Sequence, residues 1–300
     1  MRILEIDIRG NQAEKSLSKR ELVAEFSMHS RDLRPILSLR QMPTIARRGK
    51  AIVLNFRSVK LLIGKNHVLV FNLESDRIAN KFVPKLVEKI QSREKSLFEH
   101  IVLETALNYI LEKTKSKYDR LLQLSENLLE SLQQKLLDEK LKKLLAIKKQ
   151  ISKLGKNARE LNEILDEIVE DDEEMLELYL SKEPTDTVEI ESVLDDAVEQ
   201  IEDVSNRIQE LDENIDDTQE IITLQLSSRR NVIIQLDLLL TSVTAIFSFL
   251  AVIVGLFGMN ILNTLETDHS AFVGVVTFLV IFTVIATLSL WRWLKRKRIL

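Results

Sequence analysis

The 300-residue sequence contains no cysteine, which excludes disulfide-stapled modules, thiolate zinc sites, thiol redox centres and cysteine nucleophiles together. Glycine and proline are scarce, at 7 and 4 residues, too few to punctuate many strands and turns. An excess of positive charge is missing as well. With 42 Lys and Arg against 46 Asp and Glu, the net charge is -4, which argues against a nucleic-acid partner. There is no Gly-x-x-x-x-Gly-Lys phosphate loop and no nucleophile–base motif. The histidines, His29, His67, His100 and His269, lack metal-ligand spacing. No enzyme and no organic cofactor is therefore expected. What fills the chain instead is Leu, Ile, Glu and Lys, the composition of long helices.

Apolar and charged residues are distributed unevenly. From Leu238 to Leu265, and again from Ala271 to Trp291, no charged residue occurs. Each run supplies the ~20 apolar residues a helix needs to cross ~30 Å of hydrocarbon, so two membrane spans are expected near the C-terminus. Arg229 and Arg230 precede the first span. Lys295, Arg296, Lys297 and Arg298 follow the second, with Trp291 and Trp293 placed for the interface. This pattern puts both termini on the inner side of a lipid membrane. The start, Met1-Arg2-Ile3-Leu4-Glu5-Ile6-Asp7, alternates like a strand and does not read as a cleavable leader. Between residues 161 and 220 lie 24 acids against two bases, Lys182 and Arg207, a face that attracts cations or basic surfaces.

Residues 1–82 read as a small α/β domain. The runs Ala51–Phe56, Val59–Ile63 and Val68–Phe71 are rich in β-branched residues, and Gly64 and Asn66 predict a hairpin between the last two. Residues 83–183 read as a helical domain, with Leu121, Leu124, Leu128, Leu132 and Leu136 at helical spacing and Gly155-Lys156-Asn157 as an interruption, a kink or a weak point. Pro184, Thr185 and Asp186 end one helix and start the next. That next helix is a stalk, 184–231, with Leu194, Ala197, Ile201, Val204, Ile208, Leu211 and Ile215 in alternating steps of three and four. Such a seam packs as a coiled coil and offers a means of self-association. Nothing breaks the helix before the first span, 232–257, so one helix of roughly 100 Å is expected. An outer loop at 258–270, a second span at 271–292 and a basic inner tail at 293–300 complete the order.

Within the first span Asp237, Thr241, Thr244, Ser248, Ala251, Gly255 and Gly258 also follow one another in steps of four and three. They share one helix face, small or polar throughout. Small residues also serve close helix packing in membranes, and Asp237 could sit solvated at the inner interface, near Arg230. An ionisable group in hydrocarbon costs ~2.5–3.5 kcal/mol on insertion scales, so it faces water, a partner or an ion. Stripe and carboxylate together favour a hydrated path. Two helices cannot enclose one, so several copies of the chain must surround it.

The stripe ends at Gly258-Met259-Asn260. A ring of Asn carboxamides suits a hydrated divalent cation. Mg2+ gives up its octahedral water shell reluctantly, so neutral oxygens contacting that shell select without trapping the ion. Glu266 and Asp268, just outside, would raise the local cation concentration.

This arrangement resembles the CorA family of two-helix magnesium channels, whose signature is Gly-Met-Asn at the exit of the first of two C-terminal spans. The sequence is most similar to the eukaryotic mitochondrial-type branch. The likeness rests on Arg31-Asp32-Leu33-Arg34, Phe98-Glu99-His100, Leu103-Glu104-Thr105-Ala106-Leu107, Asp171-Asp172-Glu173-Glu174-Met175 and Tyr179-Leu180. It continues through Ile215-Asp216-Asp217-Thr218, Arg230-Asn231, Leu236-Asp237-Leu238 and Leu240-Thr241, all in collinear order.

The resemblance implies a mainly α protein with an N-terminal α/β domain, assembled as a homopentameric funnel in the mitochondrial inner membrane. It implies a selectivity filter at Gly258, Met259 and Asn260, with Mg2+ drawn inward by the membrane potential. A gate would lie near Ile234 and Asp237, regulated by inner-side Mg2+ held between subunits. Asp171, Asp172, Glu173, Glu174, Asp216 and Asp217 are the candidate ligands for that regulatory Mg2+, against the plainer reading of a solvated acidic face. Two alternatives stay open: a membrane-tethered coiled-coil scaffold, and transport of another divalent cation. A transition metal is disfavoured by the missing Cys and few His.

Overall fold

The computed structural model describes residues 1–38, 43–72, 77–92, 96–134, 138–181, 188–259 and 269–296. The chain divides into two compact units, Met1–Asp217 and Thr218–Leu300.

The first unit opens with six strands: β1 (Arg2–Asp7), β2 (Gln12–Ser16), β3 (Thr44–Arg48), β4 (Ala51–Phe56), β5 (Val59–Ile63) and β6 (His67–Val70). They form one antiparallel sheet in the order β2-β1-β6-β5-β4-β3. The hairpin expected at Gly64 and Asn66 is present, with Leu61 opposite Val70 and Ile63 opposite Val68. Every residue of β4 and β5 is buried, Asn55 and Lys60 included, so these largely apolar central strands are covered on both faces. On one face Ile3, Val53, Leu62 and Leu69 pack with Leu22 of α1 (Lys19–Glu25) and with Leu33 and Ile36 at α2 (Arg34–Leu37). β5 also meets α4.

A π-helical turn, Ile78–Phe82, leads into α3 (Val83–Gln91), followed by α4 (Phe98–Gln134) and α5 (Asp138–Glu170), which pack on each other. A short α6 (Asp172–Glu177) starts at Asp171, whose carboxylate accepts the backbone N–H groups of Glu173 and Glu174. Then comes α7 (Val188–Phe257), 70 residues without a break, and finally α8 (His269–Arg296). Pro184, Thr185, Asp186 and Leu136 lie outside the described residues.

Two expectations change here. Gly155 does not interrupt the helix, because α5 continues through it. The glycine is instead a point of close approach: a Cβ built there would stand 3.1 Å from Ile208 Cγ2 of α7. The heptad seam of α7 is real, and Leu194, Ala197, Ile201, Val204, Ile208, Leu211 and Ile215 are all buried. They are buried within a single chain, alongside inward residues of α5 such as Ile151, Leu154, Ala158, Leu161 and Leu165. Lys115 of α4 donates to Gln200 at 2.9 Å, and Lys148 of α5 pairs with Asp216. The seam is therefore filled from inside the chain and is not the surface through which copies would associate.

Candidate ion path

Two stretches are long and apolar enough to cross a membrane: the C-terminal part of α7 and Phe272–Trp293 of α8. Leu, Val, Ile and Phe dominate both, and only helices satisfy every backbone polar group internally in lipid. In the second unit the two helices meet at Phe249 and Phe282, whose ring centroids are 5.1 Å apart.

This contact sorts the faces of α7. In the span of α7 the half-buried residues are Gln235, Leu239, Ser242, Val243, Ile246, Leu250 and Ile253, and those on α8 are Val275, Leu279, Phe282, Thr283, Ala286 and Leu290. Asp237, Thr241, Thr244, Ser248, Ala251 and Gly255 are all exposed, as are Ile234, Gly258 and Met259. At 100° per residue the stripe lies about 180° around the helix from the half-buried set. Close packing within the chain thus uses a mostly apolar face of α7, with Gln235 and Ser242 at its edge, and leaves the stripe from Asp237 to Gly258 open.

Local chemistry fits that outward face. Thr244 Oγ1 donates to the Leu240 carbonyl at 2.8 Å, so its proton is occupied and its lone pairs remain available. A Cβ at Gly255 would meet nothing within 4 Å, so this glycine is not there for packing within the chain. The helix ends as Gly258 N–H donates to the Val254 carbonyl at 2.9 Å. Asn260, Glu266 and Asp268 lie outside the described residues. At the far end of α8, Lys295 sits 5.4 Å over the Trp291 ring, and Lys295 and Arg296 occupy the last turn.

The acids of the first unit are differently disposed. Asp171 is engaged as the cap of α6 and Asp216 in its pair with Lys148. Burial, then the charges of Glu167, Asp171 and Glu177, push the Glu174 carboxyl above its ordinary range, against Arg48. Asp172, Glu173 and Asp217 are exposed. Among the described residues no three His, Asp or Glu side chains of one chain come together as a metal site.

Comparison with known proteins settles the lineage. Residues 2–230 match the family model described as magnesium transporter MRS2-like. The chain belongs to that family. It is 27% identical to magnesium transporter MRS2-7 of Arabidopsis thaliana, over 89% of this chain and 84% of that protein. It is 29% identical to the mitochondrial inner membrane magnesium transporter mrs2 of Schizosaccharomyces pombe, over 91% of this chain and 69% of the relative. The fold is that of the CorA magnesium transporter of Methanocaldococcus jannaschii, with a TM-score of 0.68 at 16% identity over 95% of this chain and 96% of the other. The family match stops at Arg230, before the stripe begins, so membership and the stripe are independent observations.

What sequence reading did not assign is the purpose of Phe98-Glu99-His100, quoted for the resemblance alone. Its signal was a carboxylate and an imidazole at the start of an otherwise apolar helical stretch, and both side chains are buried.

Proposed function

We propose that this protein carries Mg2+ across a membrane along a path shared by several copies of the chain. The observation that carries this reading is the stripe from Asp237 to Gly258, open on the side of α7 opposite α8. A monomer would turn a carboxylate and three hydroxyls toward lipid at a cost; copies around an axis would turn them toward water. Membership of the MRS2-like family and the names of its relatives support Mg2+ as the cargo.

In this reading the copies form a pentameric ring. Gly258 and Met259 lead to a collar of Asn260 carboxamides that selects the hydrated ion, and Glu266 and Asp268 concentrate cations at its mouth. Ile234 and Asp237 form the narrow inner end. Both termini lie inside, and the mitochondrial inner membrane is the setting suggested by the fungal relatives. Two charges moving through 100 mV gain about 4.6 kcal/mol, at ~2.3 per charge, so no nucleotide hydrolysis is needed. Asp171, Asp172, Glu173, Glu174, Asp216 and Asp217 would hold regulatory Mg2+ between copies. The crowding around Glu174 supports this, since a divalent cation would relieve it. A scaffold recruiting partners through the stalk seam loses its basis, because that seam is filled within the chain.

The test is Mg2+ uptake into reconstituted liposomes. Asn260→Ala is expected to reduce uptake at least tenfold while the purified protein keeps its oligomeric size and helical content. Uptake at the unsubstituted rate would refute the filter.

A further inference from the structure

The ion path makes no use of Glu99 and His100 at the start of α4, yet both are buried, and both hold the chain just ahead of α7. Glu99 Oε1 accepts the backbone N–H groups of Leu180 at 3.0 Å and Ser181 at 2.8 Å, and Oε2 accepts the Ser181 hydroxyl at 2.8 Å. From β3, Arg47 Nη1 donates to the Tyr179 carbonyl at 3.3 Å. The segment after α6 is thus tied from two sides.

His100 sits inside this tie. It is 3% exposed, and its ring lies edge-on to Tyr179 with centroids 4.6 Å apart. Neither ring nitrogen has a hydrogen-bond partner among the described residues. Glu189, in the first turn of α7, places Oε1 3.8 Å from Nδ1, too far for a hydrogen bond. A buried imidazole with both nitrogens unpaired is uncommon and calls for an explanation.

We propose that His100 is a proton-operated release for the start of α7. Neutral, it packs under Tyr179 and keeps the 179–181 segment and the first turn of α7 docked on α4; protonated, it undocks them. The charged groups facing it are Glu99 of α4 and Glu189 of α7, with Arg47 of β3 reaching the Tyr179 carbonyl.

Burial pushes the imidazole below its ordinary range, against the pull of Glu99 and Glu189. The sign follows from that depression. Above the ordinary value, about 6.5, docked and undocked forms are both neutral and docking carries no proton penalty. Below it the undocked form takes up a proton first, so docking weakens as pH falls from the ordinary value toward the depressed one.

Hydrogen exchange on the full chain in detergent, corrected for the intrinsic pH dependence of exchange, reads this directly. Between pH 7.5 and 5.5, amides at 179–181 and 188–194 should lose protection, by at most about tenfold per pH unit, the limit for one proton. His100→Phe keeps a ring that can pack but has no proton to accept. It should retain protection at neutral pH and flatten the acid response. An unchanged acid response in His100→Phe would overturn the proposal. So would protection that rises on acidification and disappears in Glu189→Gln, which would mean that a new ion pair tightens the docking. Exchange is read within the first unit, so the outcome stands whether or not the chain transports.

Discussion

At the scale of single residues, burial turns ordinary polar groups into fixed ties. Glu99 satisfies two backbone donors and a hydroxyl that would otherwise be stranded away from water, and hydrogen bonds to a charged acceptor are among the stronger ones in proteins. Glu99→Ala should therefore destabilise the first unit by roughly 2–4 kcal/mol, and Glu99→Gln by less, as measured by denaturant unfolding. Lys60 shows the same logic from the donor side. It is 8% exposed on β5, and its Nζ donates to the Ile36 carbonyl at 2.9 Å and the Ser38 carbonyl at 2.6 Å, with burial drawing its ammonium below the usual range. Neither tie was legible in the sequence, because each joins residues far apart along the chain, 81 and 82 positions for Glu99 and its partners. A lysine in a strand and a glutamate near a helix start look solvated until the partner segment is in place.

At the scale of elements, legibility followed apolar patterning. β4, β5 and β6 could be read directly, since central strands are apolar runs. β2, Gln12–Ser16, is exposed at every position, and β3 ends in Arg47 and Arg48, so both edges of the sheet lacked a hydropathy signal. Glycine misled in the opposite way. Gly155 reads as a weak point by propensity, but its missing Cβ lets α5 approach α7 at Ile208. Gly155→Val should cost about 1–3 kcal/mol by overpacking, visible as a lower unfolding midpoint of the first unit, even though valine loses less backbone freedom than glycine. In α7 the period was legible but its partner was not. Counted in sevens, the buried positions of the first unit, such as Ile208 and Leu211, recur as Leu239, Val243, Ile246, Leu250 and Ile253 facing α8. Asp237, Thr241, Thr244 and Ser248 take the two positions between, which is why one helix carries an apolar seam and a polar stripe without conflict.

At the scale of the whole molecule the functional reading becomes electrical. In the proposed reading the ion follows the electrochemical gradient, and for a divalent ion each 100 mV contributes about 4.6 kcal/mol. Liposomes clamped inside-negative with a potassium gradient and valinomycin should take up Mg2+ steeply with voltage, and reversing the sign should abolish net uptake. Uptake indifferent to voltage would point to an electroneutral exchanger. The candidate site was half legible: the stripe and the Gly258-Met259-Asn260 signature stand in the sequence, whereas the side of α7 turned away from α8 emerged only from the packing of Phe249 on Phe282.

That turned-away side has a genetic corollary. If no chain owns the path and each contributes one wall of it, a defective copy would spoil every assembly it joins. Co-expressing unsubstituted and filter-defective chains in equal amounts should then leave far less than half the activity, and a single damaged allele would act dominantly.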